Sequence, residues 1–346
     1  MKTERQKISS AVNNPPNAGA IIINWHSWKH LTRCLAAIIR QETPFFRIVV
    51  IDNDDDDKPV EWFDVRSENF HYVKMDQNVG FAKANNIALE YLDDCEWIAL
   101  INPDAFLEPS WLKHMLDAAA KNPDFSFFAC RLVMANDPEF LDGTGDVYHA
   151  SGLVWRDRHG MAQKTMSFAD QEVFSPCAAA AIYRRDDLIA VGGFDEDFFC
   201  YIEDVDLGFR LRLNGHRCRF ASDAIAYHVG SATTGGGHSD TAVYYGHRNM
   251  VWAFMKNVPG FLFWALLPWH LLMNLVGVAV FAWRGQLRVI LAAKRDALLD
   301  IPNMWKKRRA IQSQRKASIR AIWNVMDKRT VPASAPWNPT RKGRQA

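Results

Sequence analysis

The run Glu96-Trp97-Ile98-Ala99-Leu100-Ile101-Asn102-Pro103-Asp104 decides the fold. Its apolar stretch is short and unbroken, which suits a strand buried on both faces, and it stops at a polar turn. Toward the N-terminus, Ala20–Trp25 and Arg47–Asp52 read as two more buried strands. His30–Arg40, with Leu31, Cys34, Leu35, Ile38 and Ile39 on one face, and Phe81–Leu92 carry helical spacing. Strand, helix, strand, helix, strand predicts an α/β fold with a parallel sheet covered on both sides. Ligands in such sheets bind beyond the carboxyl ends of the strands. The groups there are Asn24, Trp25 and His26, then Asp52 and Asn53, then Asn102 and Asp104.

Toward the C-terminus the pattern is less regular. A helix is expected near Ser110–Ala120, strands over Phe125–Val133 and Cys177–Tyr183, and hairpins in the stretch holding Gly143, Gly145, Gly152 and Gly160. Glu203–Leu213 reads as a helix stopped by Asn214-Gly215, and Ile225–Val229 as a strand ending near His228. Gly230–Gly237 reads as a mobile loop, and an acidic turn spans Asp54–Asp57. The expected organisation is a flexible leader (1–18), a catalytic α/β unit (19–255), an apolar hairpin with basic helices (256–330) and a disordered tail (331–346).

The formal charge of +2 over 346 residues hides an asymmetry. Residues 284–346 hold 16 Lys and Arg against three acids, Asp296, Asp300 and Asp327, so the body before them is acidic. A basic tail calls for a polyanionic surface, either nucleic acid or an anionic membrane. The 27 residues between Lys256 and Arg284 carry no charged side chain, which favours the membrane. Six scattered cysteines without a Cys-x-x-Cys pair fit a reducing compartment and no zinc site. A composition 49% hydrophobic and 23% charged excludes wholesale disorder.

Three places carry candidate chemistry. Asn102-Pro103-Asp104 is either an ordinary turn or a carboxylate that shares Mg²⁺ or Mn²⁺ with a phosphorylated ligand. In Gly192-Gly193-Phe194-Asp195-Glu196-Asp197-Phe198-Phe199, followed by Tyr201-Ile202-Glu203-Asp204-Val205-Asp206, acids are interleaved with aromatics. Glu203 and Asp204 open a helix, where they serve either as dipole-complementing residues or as a general base. His228 is either a structural histidine or a second metal ligand. Asn24–Lys29 holds no glycine, which disfavours a nucleotidyltransferase phosphate loop and a dinucleotide-binding oxidoreductase.

Taken in order, Ile21–Ser27, Val49–Asn53, Gln77-Asn78-Val79-Gly80-Phe81 with Asn85-Asn86, Leu100–Asp104, Gly192–Glu196 with Glu203–Asp206, and His228 resemble glycosyltransferase family 2, in particular its bacterial rhamnosyltransferase-like branch. The resemblance covers about residues 20–255. It implies a GT-A fold, a Rossmann-like nucleotide-binding sheet fused to an acceptor-binding half. It implies nucleotide contacts from Asn24, Trp25, Asp52, Asn53, Asn78, Gly80 and Asn102, a divalent metal (Mg²⁺ or Mn²⁺) on Asp104 and His228, and Asp204 as catalytic base supported by Glu203. Gly193, Phe194, Asp195 and Glu196 would line the acceptor. Asn102 stands where the family's Asp-x-Asp signature has its first acid, leaving one strong carboxylate. The implied reaction is inverting transfer of a sugar, with rhamnose on dTDP the first candidate donor and a UDP-linked galactofuranose or N-acetylhexosamine the alternative. The implied acceptor is a lipid-linked glycan in cell-surface polysaccharide synthesis. A scaffold that had lost its chemistry would lack the acids at 104 and 204, and both are present.

Asn257–Trp283 is long enough to cross a bilayer, but Pro268 and His270 near its middle argue for two short helices broken at the proline. A single crossing would also put the basic tail opposite the nucleotide-sugar side, against the positive-inside tendency. The expectation is a peripheral or monotopic protein on the cytosolic face of the inner membrane, with Lys306–Arg309, Arg315 and Lys316 on anionic headgroups and not on nucleic acid. A buried hydrophobic hairpin is the competing reading.

Overall fold

The structure, a computed structural model, describes residues 17–54, 69–230 and 239–329. The acidic turn after Asp54, most of the Gly230–Gly237 loop, the leader up to residue 16 and the tail from 330 lie outside the described residues.

A first run of elements follows the expected order: β1 (Ala18–Asn24), α1 (Trp28–Ile39), β2 (Arg47–Asp52), β3 (Phe70–Lys74), α2 (Phe81–Leu89) and β4 (Trp97–Ile101). The strands β3, β2, β1 and β4 are parallel neighbours. Side chains of β1 alternate between two cores, Ala20 and Ile22 toward α1, and Ile21 and Ile23 toward α2. This is why the strand reads as continuously apolar.

The second half departs from a purely parallel sheet. After β5 (Ala105–Leu107) and α3 (Trp111–Lys121) come β6 (Phe127–Met134), β7 (Leu141–Gly143), β8 (Asp146–Tyr148), β9 (Val154–Arg156), β10 (Gln171–Val173) and β11 (Ala180–Arg184). Then follow α4 (Arg185–Ala190), α5 (Glu203–Leu213) and β12 (Cys218–His228). The sheet order is β10-β12-β6-β11-β4-β1-β2-β3. Strand β11 runs antiparallel to both β4 and β6, so the sheet is mixed.

The C-terminal layer comprises α6 (Asp240–Asn257), α7 (Gly260–Trp283), α8 (Leu287–Leu299), α9 (Ile301–Ser313) and α10 (Ile319–Val325). A third core joins it to the sheet domain, combining Val205, Phe209 and Leu213 of α5 with Trp252, Phe254, Leu262, Leu266 and Met304. Leu207 and Leu211, on the other side of α5, face the sheet core. Helix α5 is thus enclosed between two layers, and the expected boundary at 255/256 falls inside α6.

One expectation is corrected here. The apolar segment is a single 24-residue helix with Pro268 inside it, not two helices broken there. Pro268 removes one backbone donor, but it lies on the exposed side. The opposite side is packed along the length through Leu262, Phe263, Leu266, His270, Gly277 and Phe281. His270 anchors the middle: its Nδ1 is 2.8 Å from Ser151 O, and its ring stacks on Phe254 at 4.0 Å. The chain reverses at Gly285 (φ 85) so that α8 returns along α7.

Candidate active site

At the carboxyl ends of β1 and β2, Asn24 Nδ2 donates to Asp52 Oδ1 at 3.0 Å. The Tyr72 hydroxyl donates to Asp52 Oδ2 at 2.5 Å, and Lys74 Nζ lies 3.2 Å from the same oxygen. Burial and then Asp52 push the Tyr72 phenol up, which keeps it a donor. Asn24 Oδ1 is buried without a protein partner, and Trp25 is half-buried beside it. Asn53 bonds Asn78 Oδ1 (2.9 Å) and accepts from Val79 N (3.0 Å), while Asn78 Oδ1 accepts from Gly80 N (2.9 Å). Gly80 has φ 85, and a Cβ there would lie 2.5 Å from the Phe199 ring. Only glycine meets both demands without strain.

Strand β5 is the device that assembles the second cluster. It pairs antiparallel with the end of β12, placing Ala105 opposite His228, and Val229 N donates to Asp104 O. His228 Nε2 thereby lies 3.3 Å from Asp104 Oδ1, and its Nδ1 lies 2.8 Å from Asp142 Oδ2. Burial opposes an imidazolium, but the two carboxylates outweigh it and push His228 up to about 9. Asp142 is held in turn by Arg156 and by His159, whose Nδ1 is 3.3 Å from Asp142 Oδ1. Sequence reasoning missed Asp142 and Arg156. They sit on three-residue strands in the glycine-rich stretch, where no periodicity singles them out.

Asp204 faces this cluster through the backbone that leads into β11. Its Oδ2 accepts from Ala178 N at 3.0 Å, and the next carbonyl, Ala179 O, accepts from Asn102 N at 2.9 Å. Burial raises the Asp204 carboxyl, while the amides of Ala178 and Val205 and the Arg156 charge restrain the rise. Two neighbours behave differently. Glu203 is pushed well above the usual carboxylate range by burial and by Asp204, and its Oε2 has no partner. Asp146 is raised strongly by the same two causes. The three environments differ: Asp204 is raised least, because backbone amides and Arg156 favour its charged form, while Glu203 and Asp146 lack comparable support.

The segment before Asp204 is strained. Phe199, Tyr201 and Ile202 have φ of 64, 65 and 69, a region each enters at a cost on the order of 1–3 kcal/mol. The four positions assigned to the acceptor by resemblance have mixed surroundings. Phe194 is buried in the sheet core, and Gly193 is closed over by Asn86. Asp195 is committed to Lys256 and Lys307 rather than left open to a ligand, and Glu196 is exposed beside Asn86.

Among the described residues, no three His, Cys, Asp or Glu side chains converge as a metal cage. The pair Asp104 and His228 does fit a divalent ion that completes its shell with phosphate oxygens. His228 Nε2 is buried and faces Asp104 at 3.3 Å, while Asp142 fixes the other ring nitrogen; a metal ion here would take the place of the Nε2 proton.

The mixed sheet, parallel over β3, β2, β1 and β4 and continued by antiparallel β11, is that of the GT-A fold of glycosyltransferases. Residues 20–192 match the model of glycosyl transferase family 2, and the chain belongs to that family. It is 24% identical over 269 residues to N-acetylglucosaminyl-diphospho-decaprenol L-rhamnosyltransferase of Mycobacterium tuberculosis, covering 67% of this chain and 85% of the relative. Rhamnosyltransferase WbbL of Escherichia coli K12 is 24% identical over 228 residues, covering 60% and 82%. Among solved structures, the mannosyltransferase PcManGT of Pyrobaculum calidifontis, in complex with GDP-Man and Mn²⁺, superposes with a TM-score of 0.52 at 16% identity, covering 90% of this chain and 88% of that one. The chain is therefore a glycosyltransferase with rhamnosyltransferase homologues.

Proposed function

We propose that this glycosyltransferase moves rhamnose from dTDP-rhamnose to a lipid-linked glycan, with inversion, at the cytosolic face of the membrane. One observation carries the catalytic part. The buried pair Asp104 and His228 leads through Asp142 to Arg156, whose charge also acts on Asp204, the least raised of three neighbouring acids. Asp204 takes the proton of the acceptor hydroxyl as the new bond forms, because a sugar hydroxyl is a poor nucleophile at neutral pH. Asp104 and His228 would hold Mg²⁺ or Mn²⁺, which neutralises charge developing on the departing diphosphate. Asp52, Asn53 and Asn78 shape the nucleotide end, and attack from the opposite side inverts the anomeric centre.

The membrane part rests on α7 and α8. Phe261, Trp264, Leu271, Leu275 and Trp283 of α7 and Leu299 of α8 are exposed, and α7 has a mean hydropathy of 1.8. At about 36 Å the helix is long enough to cross a bilayer. Its other side is covered by protein from Leu262 to Phe281, which supports an in-plane placement. Exposed Arg288, Lys306 and Arg309 supply charge for anionic headgroups.

The test is a donor screen of purified protein with Mg²⁺ or Mn²⁺, scoring nucleoside-diphosphate release and the anomeric configuration of the product. Release from dTDP-rhamnose with an inverted product supports the proposal. Release only from a UDP-sugar favours the second reading, a galactofuranosyl or N-acetylhexosaminyl transfer at the same site. No release from any donor refutes both.

A further inference from the structure

Helix α5 presents Asp204 from a loop that would not hold its shape alone. Three of the four residues 199–202 are non-glycine residues in the left-handed region, and Ile202, β-branched, is the one that caps α5. The Ile202 side chain makes no capping bond. The restraint comes from α6. Asn249, fully buried, points its side-chain amide into the loop, where Nδ2 lies 2.9 Å from Phe198 O, 2.9 Å from Cys200 O and 2.7 Å from Tyr201 O. Arg248 donates to Asp197 O at 2.9 Å and Phe198 O at 3.0 Å. One buried amide gathering three carbonyls of residues 198–201 is a clamp, since removing it takes a donor from each of them inside the protein.

The far side of the same loop touches the donor end. Phe199 packs against Gly80, its carbonyl accepts from Ala82 N at 3.1 Å, and its ring stacks on Tyr245 of α6 at 5.1 Å. The loop therefore spans from the nucleotide-side turn to the base-bearing helix and is gripped from the C-terminal layer.

We infer that Asn249, assisted by Arg248, is a positioning residue that holds the 199–202 loop, with Phe199, Tyr201 and Ile202 at positive φ, and thereby sets the place of Asp204. The sheet domain is then incomplete as a catalyst without α6, although no α6 side chain touches the reacting atoms. The kinetic consequence rests on the transferase reading of Asp204; the conformational one does not.

The experiment uses the full chain carrying Asn249→Ala, the milder Arg248→Met in case the first does not fold, and Asn249→Ala combined with Ile202→Gly. Hydrogen exchange by mass spectrometry is followed in peptides covering 199–206 and in the sheet strands. The single variants should accelerate exchange in 199–206 by about tenfold or more while the strands keep wild-type rates. In turnover, kcat should fall about 10- to 100-fold with the donor KM unchanged, as expected for a displaced catalytic group. Ile202→Gly should restore part of kcat, because glycine enters the left-handed region without a steric penalty. Wild-type exchange in 199–206 in the folded single variants overturns the clamp, as does acceleration spread evenly over the strands. A matched change in kcat and KM that Ile202→Gly leaves untouched overturns the positioning role. If the wild-type protein turns over no donor, the transferase reading of Asp204 falls, and the exchange data still decide whether Asn249 holds the loop.

Discussion

Helices α5 and α7 invert the usual link between composition and burial. Helix α5 carries Glu203, Asp204, Asp206, Arg210 and Arg212 in 11 residues, yet all but Asp204 of its residues are buried. Helix α7 has no charged residue in 24 and leaves Phe261, Trp264, Leu275 and Trp283 more than 60% exposed. The difference lies in partners. Apart from Glu203, the buried charges of α5 are paired: Asp206 with Arg210 at 2.7 Å and Lys256 at 2.9 Å, and Arg212 with Glu172 at 3.0 Å and the Phe174 carbonyl. On the outer side of α7, Phe261, Leu271 and Leu275 are exposed and join no core cluster among the described residues, which fits an environment other than water.

Four measurements break or sharpen this contrast. The largest effect is expected at Asp204. Asp204→Asn should lower kcat by about 10²- to 10⁴-fold while circular dichroism and donor binding stay near wild type. Next is Lys256→Met, which leaves Asp195 and Asp206 facing each other without their shared cation. Breaking a buried pair from one side costs about 3–5 kcal/mol, readable as a large drop in Tm. On α7 the prediction is the opposite: Trp264→Ser with Leu275→Ser should leave Tm unchanged. It should weaken binding to vesicles containing anionic lipid, each side chain contributing about 1.5–3 kcal/mol when fully inserted.

The smallest effect concerns acid. Burial works against the Asp195 charge, but Lys256 and Lys307 outweigh it and hold the carboxyl below the usual range. A depressed carboxyl stabilises the fold above its unfolded value of about 4, and that contribution is lost as pH falls through the lower folded value. Near-UV dichroism should therefore show the C-terminal layer loosening below about pH 4, and Asp195→Asn should flatten that dependence while lowering stability at neutral pH.

Legibility in the sequence followed the physics of each element. Strands buried on both faces announce themselves as apolar runs, so Arg47–Asp52 and the end of β4 were readable, as was α5 from its caps. Strand β3 was not, because Phe70–Lys74 lies at the sheet edge, half-buried, with alternating polar residues. Asp104, His228 and Asp204 were legible as candidates, but the bonds that join them were not. Asp142 and Arg156 take their meaning from pairing between distant short strands, and the left-handed turn at 199–202 from Asn249. Pro268 misled because local propensity counts for less than packing along a whole helix face.

The pairing of β5 with β12 also bears on the order in which the molecule assembles. β12 is the last strand of the sheet to leave the ribosome, yet it is inserted between β10 and β6 rather than added at the rim. Until it docks, Asp104 has no His228, β6 keeps an open edge, and β5 and β10 have no partner strand. Such long-range closure is intrinsically slow. The parallel strands β3, β2, β1 and β4 thus have time to form first, and the contact of Asp104 with His228 arrives late, as a report that the chain has reached its finished topology.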